Sequence, residues 1–207
     1  FNKEHHFSEE EIARPEQAGS HLAIALWNAQ QDTELQKRLR ESNTLANISL
    51  ALSETEKIGI ENILQLIVTS AKELIPTAQK AVIHLLDYEK QELTPGAVIG
   101  YENQVEGKRK MKLGEGVAGQ VIATGETINI ANIETDEKFI KLGSQLPEFR
   151  SLMVAPVKSG DQKLGTISIQ SEIPNSFTAK EGELLSALGI QAAIAIADLP
   201  VELPPGP

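Results

Sequence analysis

The chain contains no cysteine. That removes disulfides, thiol catalysis and cysteinyl metal sites together, and it fits a reducing compartment, so a cytoplasmic location is expected. Aromatic residues make up only 4%. A core must therefore be built from Leu, Ile, Val and Ala, and stacking of nucleic-acid bases on aromatic platforms is disfavoured. Lys and Arg total 19 against 29 Asp and Glu, a formal net charge of −10, the opposite of the balance that drives binding to phosphate backbones. No apolar run approaches the roughly 18 residues of a membrane span, and no signal peptide is visible. Neither a nucleic-acid partner nor membrane contact is expected. What is there, 41% hydrophobic and 23% charged residues over 207 positions, suits one generous globular domain or one ordinary domain plus extra helix.

Two stretches resemble one another. FSEEEIARPEQAGSHLAIALWN at 7–28 aligns without gaps to FTAKEGELLSALGIQAAIAIAD at 177–198, an offset of 170 positions. Phe7 meets Phe177, Glu11 meets Glu181, Gly19 meets Gly189, and AIAL meets AIAI. Each copy opens with a capping box, Ser8 to Glu11 and Thr178 to Glu181, whose side chains satisfy free N–H groups of a first helical turn. The segment 1–31 thus reads as the closing helix of a preceding copy of a domain. The copies differ where Pro15 faces Leu185; proline inside a helix costs about 3 kcal/mol, so a kink or a late start is expected in the first.

The next segment, 32–52, is polar and helical with a narrow apolar stripe at Leu35, Leu39, Leu45, Ile48 and Leu52. So narrow a stripe suits a seam between two helices, with these five residues as the dimer interface; the alternative is a helix lying on its own domain. A broader stripe follows at Ile60, Ile63, Leu64, Ile67, Val68, Ala71 and Leu74, the spacing of a core-facing helix that ends near Pro76. KAVIHLLD, a turn then strand in LTPGAVIGY, RKMKL and TINIAN are strand candidates. LMVAPVKSGDQKLGTISIQ reads as a hairpin turning at Ser159–Gly160–Asp161. Consecutive hairpin-like strands between helices favour an α+β fold with an antiparallel sheet.

LGEGVAGQVIATGETINIAN carries Gly114, Gly116 and Gly119 in a G-x-G-x-x-G arrangement, with Glu134 and Asp136 further on. A dinucleotide site needs a buried strand before such a motif and a long crossover helix after it. Here the segment before is mostly basic, with Lys108, Arg109, Lys110 and Lys112, and the helix after it ends within about two turns at Gly125. Those four cations read better as a charge-protected edge strand than as an anion site.

The helix end AKELIPTA, the strand AVIHLLD, the block KLGEGVAGQVIATGETINI, the segment EFRSLMVAPVKSGDQKLGTISI and the closing FTAKEGELLSALGIQAAIAI, in this order, resemble the GAF family of small-molecule sensor domains. The resemblance covers about 43–198, with the first helix overlapping the linker; 199–207 is a proline-rich tail. It implies a six-stranded antiparallel sheet with terminal helices on one face and a ligand pocket on the other, preceded by a long signalling helix. It also implies a homodimer that passes the state of the pocket through paired helices to an output domain such as a histidine kinase, as in two-component systems, or a nucleotide cyclase. The ligand is left open, and a ligand-free dimerisation scaffold is the alternative.

Family chemistries that rest on cysteine, covalent bilin attachment and methionine sulfoxide reduction, do not fit this chain. Haem ligation would fall to His84, but a histidine inside a strand is more often a packed residue, and His5 and His6 lack partners at metal spacing. No nucleophile–base pair or paired carboxylates emerge, so neither a catalytic nor a metal residue is assigned. The segment 133–149 would border the pocket. Phe139, Phe149, Arg150 and Ser151 are the candidate ligand contacts, Arg150 as a grip for a carboxylate or phosphate or, alternatively, as a tie for the loop that contains Glu148.

Overall fold

The computed structural model describes residues 9–52, 59–101, 110–139 and 148–197, with backbone only for 9–21. The chain divides into two compact units, Phe1–Asn43 and Thr44–Pro207. Helix α1, Glu9–Leu52, is continuous and contributes to both. It begins at Glu9 and includes Pro15, so the late start expected there is absent; Ser8 and its capping box lie outside the described residues. In the first unit Leu22, Leu26, Leu35 and Leu39 are each more than half exposed.

The second unit is built on a six-stranded antiparallel sheet in the order β3-β2-β1-β6-β5-β4. Its strands are β1 Lys80–Asp87, β2 Glu92–Ile99, β3 Met111–Lys112, β4 Ile128–Ile130, β5 Ser151–Ser159 and β6 Gln162–Ser171. The other helices among the described residues are α2 Ile60–Leu74, α3 Gly116–Thr124 and α4 Ala179–Ala197. The edge strands are the two shortest, which limits the exposed row of unpaired backbone groups.

Strand alternation sends Ala81, Ile83, Met153, Ala155, Val157, Ile167 and Ile169 to one face, where they join Ile63, Leu64, Ile67, Val68 and Ala71 of α2 and Leu185, Leu188, Ala192, Ala193 and Ala195 of α4. The α2 stripe is the one its spacing predicts, with Ile60 only partly buried at the helix start. Ile48 and Leu52, at the C-terminal end of α1, enter this same core, with Leu45 packed against it. The five-residue stripe is therefore divided: Ile48 and Leu52 are buried within their own domain, while Leu35 and Leu39 stand exposed.

Glycine lets α4 sit close to the sheet. A Cβ on Gly189 would lie 2.6 Å from the Pro156 carbonyl oxygen of β5, nearer than side chains approach. The close packing at this position is thus against the sheet. Glu181 caps the start of α4: its Oε2 accepts from the Thr178 N–H at 2.6 Å and from the Thr178 hydroxyl at 2.9 Å.

Two local features depart from simple alternation. LTPGAVI is strand throughout, although the Pro-Gly pair suggests a turn; the β1–β2 register shifts at Ile83/His84, with Ala97 and Pro95 opposite them, so Gly96 is the extra residue of a bulge. A bulge absorbs a proline that cannot donate to the ladder. The β1–β2 turn is held by Asp87, which accepts from the N–H groups of Glu89 and Lys90 and from Lys90 Nζ at 2.6 Å. The hydrogen bond from the Lys90 side chain is the main cause holding the Asp87 carboxyl below its usual range, and it raises Lys90 in turn.

Candidate ligand-binding face

The opposite face of the sheet carries a second core: Leu93, Ile130, Leu152 and Val154 from strands, Val117, Ala118, Val121 and Ile122 from α3, and Ile133 beyond β4. Helix α3 packs on β5 and β6. The glycine motif makes its tight entry. Gly114 has φ +89° and Gly116 φ +62°, conformations that side chains disfavour, and Gly119 packs against the Gly114 backbone so closely that a Cβ would overlap it. Glu115 accepts from the Lys112 N–H through Oε2 at 2.9 Å, which fixes the turn. At the other end Gly125, φ +71°, donates its N–H to Val121 O. Lys163 Nζ and Lys158 Nζ reach the carbonyls of Ala123 and Gly125, both at 3.1 Å, and cations there complement the helix dipole.

This geometry is not that of a dinucleotide motif. The strand before it, β3, is a two-residue antiparallel edge, and the helix after it has nine residues.

Between its apolar flanks this face is polar. Antiparallel register aligns Pro95 of β2, His84 of β1, Thr166 of β6 and Pro156 of β5 in one row across the sheet, and Val82, Ser168 and Val154 in the next. His84, Thr166 and Ser168 are all buried, at 8%, 0% and 5% exposure. Thr166 Oγ1 has no hydrogen-bond partner. The α3 residues buried on this side, Gly116, Val117, Ala118, Gly119, Val121 and Ile122, have no polar side-chain atom to offer it. A buried hydroxyl without a partner costs about 1–3 kcal/mol, so its retention at the centre of a sheet calls for a role other than packing.

Of the four residues singled out from sequence, Phe139, Phe149 and Arg150 lie at one edge of this face, whereas Ser151 alternates with Leu152 and shares the helix-covered side of Met153 and Ala155. Phe139 and Phe149 meet edge to face, with centroids 6.3 Å apart, and pack against the second core. Arg150 Nη2 donates to Glu134 Oε2 at 2.8 Å, so its partner is Glu134 rather than Glu148; Glu148 pairs instead with Lys80 Nζ at 3.2 Å. Lys80 also lies 5.3 Å from the centre of the Tyr101 ring. Arg150 and Lys80 are thus each opposed by a carboxylate. Ser151 is buried and donates to the Ile173 carbonyl at 2.8 Å, within a knot that includes Ser171 and Ser176. This bonding occupies its hydroxyl in holding the connection from β6 to α4.

Sequence reasoning passed over Thr166 and Ser168. The signal was present in GTISIQS, where polar residues alternate with isoleucine, but it gains meaning only once β6 is known to be a central strand covered on both faces. No group of three or more metal-ligating side chains occurs among the described residues, and no helix among them is long and apolar enough to cross a membrane.

A family model described as GAF domain matches residues 58–197. Among solved structures, the chain is similar to the GAF domain of a phosphoenolpyruvate-protein phosphotransferase from Coxiella burnetii, with 25% identity and a TM-score of 0.64 over 77% of this chain and 94% of that one. The corresponding GAF domain from Acinetobacter gives 24% identity and a TM-score of 0.63, covering 75% and 91%. A free methionine-R-sulfoxide reductase from Neisseria meningitidis, solved with its substrate, gives 20% identity and 0.63, covering 76% and 88%. At these identities the last two are likenesses of fold.

Proposed function

The chain belongs to the GAF domain family, and from that premise we propose that it is a small-molecule sensor module that signals as a homodimer. The observation that carries this reading is the buried polar floor of His84, Thr166 and Ser168 on the face opposite α2 and α4. The ligand occupies that face against the floor, and its presence favours one arrangement of paired α1 helices by population shift. Leu35 and Leu39 supply the exposed part of the helix seam. The output domain, a histidine kinase, nucleotide cyclase or similar effector, lies elsewhere in the parent protein. The module has no catalytic activity of its own; the lack of cysteine supports this, even though reductases share its fold.

The second reading is a ligand-free dimerisation scaffold. It draws support from Phe139 and Phe149, which fill the edge of the face, and from the pairing of Arg150 with Glu134.

Native mass spectrometry of the purified chain, gentle and then denaturing, separates the two. The sensor reading expects a dimer carrying a small-molecule adduct that denaturation releases. Thr166→Val should lose that adduct while raising the unfolding free energy by about 1 kcal/mol, because a methyl replaces an unpartnered hydroxyl in an apolar setting. A clean dimer in both proteins favours the scaffold, and a monomer removes the seam from either reading.

A further inference from the structure

Helix α4 provides a template for the segment it resembles. Seven α4 residues bury against the sheet: Gly182, Leu185, Leu188, Gly189, Ala192, Ala193 and Ala195. At the offset of 170 their counterparts in α1 are Ile12, Pro15, Ala18, Gly19, Leu22, Ala23 and Ala25, every one without a polar side chain. The polar residues of 9–27, namely Glu9, Glu10, Glu11, Arg14, Glu16, Gln17, Ser20 and His21, all fall where α4 is partly or fully exposed. Phe7 stands for Phe177, which is itself buried. The spacing of the nonpolar positions, and not only the matching letters, is repeated.

We infer that residues 9–27 of α1 dock on the helix-facing side of a further six-stranded sheet of this fold, belonging to a domain N-terminal to this one in the parent protein, as α4 docks on its own. Gly19 is the point of closest approach, where the helix backbone comes down on a strand carbonyl as Gly189 does on Pro156. The surface awaits a partner: Leu22 is 62% exposed, Leu26 57%, and Ala23 and Ala25 are exposed as well. A second copy of the present domain cannot supply it, since that side of its sheet is already covered by α2, α4 and the end of α1. The occupant is a sheet without a closing helix of its own, and α1 then runs on from it as the connection between two domains.

The test grafts the sequence of residues 9–27 in place of residues 179–197 in the full chain, both as it stands and with Pro15→Leu to remove the helix-breaking residue. With Pro15→Leu, the graft should melt in a single cooperative transition, below that of the parent. Adding Gly19→Leu should abolish that transition, and Gly189→Leu should do the same in the parent chain, where a Cβ would lie 2.6 Å from the Pro156 carbonyl oxygen. A Pro15→Leu graft that never folds, or one indifferent to Gly19→Leu, overturns the inference. Sedimentation supplies the second measurement: Leu22→Asp combined with Leu26→Asp should leave the oligomeric state of the unaltered chain unchanged. A dimer dissolved by that pair would show the face joining two α1 helices instead.

Discussion

Replacing Ile48 with alanine is expected to lower the unfolding free energy by about 2–5 kcal/mol, the range for emptying an aliphatic side chain from a packed core. Ile48 is completely buried, together with Leu52, among residues of α2, α4 and the sheet. Leu35→Ala, on the same helix but at a 58% exposed position, should change the stability of the separate subunit by no more than about 0.5 kcal/mol, acting instead on dimerisation. Urea denaturation of both variants, paired with sedimentation, checks this. Equal stabilities would mean that the end of α1 does not belong to the domain core. A dimer weakened as much by Ile48→Ala as by Leu35→Ala, with no loss of subunit stability, would return Ile48 to the seam.

The second large effect is expected at Gly189. Alanine there gains helix propensity of about 1 kcal/mol, but its Cβ falls 2.6 Å from a backbone carbonyl of β5. Neither partner is a flexible side chain end, so α4 must lift or the strand must shift. Overpacking of this kind costs about 1–3 kcal/mol, and the net change should be a loss. Thermal unfolding of Gly189→Ala gives the answer. A higher melting temperature would mean that helix propensity wins and that α4 has room to move off the sheet. Gly160→Ala is the useful comparison, since its turn has φ +57° and no atom lies within 4 Å of the added methyl. It carries backbone strain without the clash, so its loss should be the smaller.

Much of the fold was legible because the signals were local. The α2 stripe, the hairpin at Gly160, the strand KAVIHLLD and the stop at Gly125 follow from side-chain period and from glycine's freedom at positive φ, which neighbours in the chain suffice to decide. The bulge at Gly96 was less legible: Pro-Gly has the same local preference in a turn and in an irregular strand, and only pairing with β1 on one side distinguishes them. The site was legible only at its edge. Phe139, Phe149 and Arg150 stood out as unusual residue types, whereas the floor joins His84, read from sequence as a packed residue, to an ordinary threonine and serine made unusual by burial.

The sequence by itself determined the kind of chain: cysteine-free and acidic, its helices and strands ordered as in an α+β domain, with one helix repeated at an offset of 170. Tertiary structure alone decided what those elements meet. It assigned Ile48 to the domain core and left Leu35 to solvent, although both sit on one apolar stripe. It turned Arg150 toward Glu134 rather than Glu148, and placed Thr166 without a partner under an apolar helix. The reason is that periodicity reports which side chains share a face, while burial and pairing depend on what the rest of the chain brings against that face.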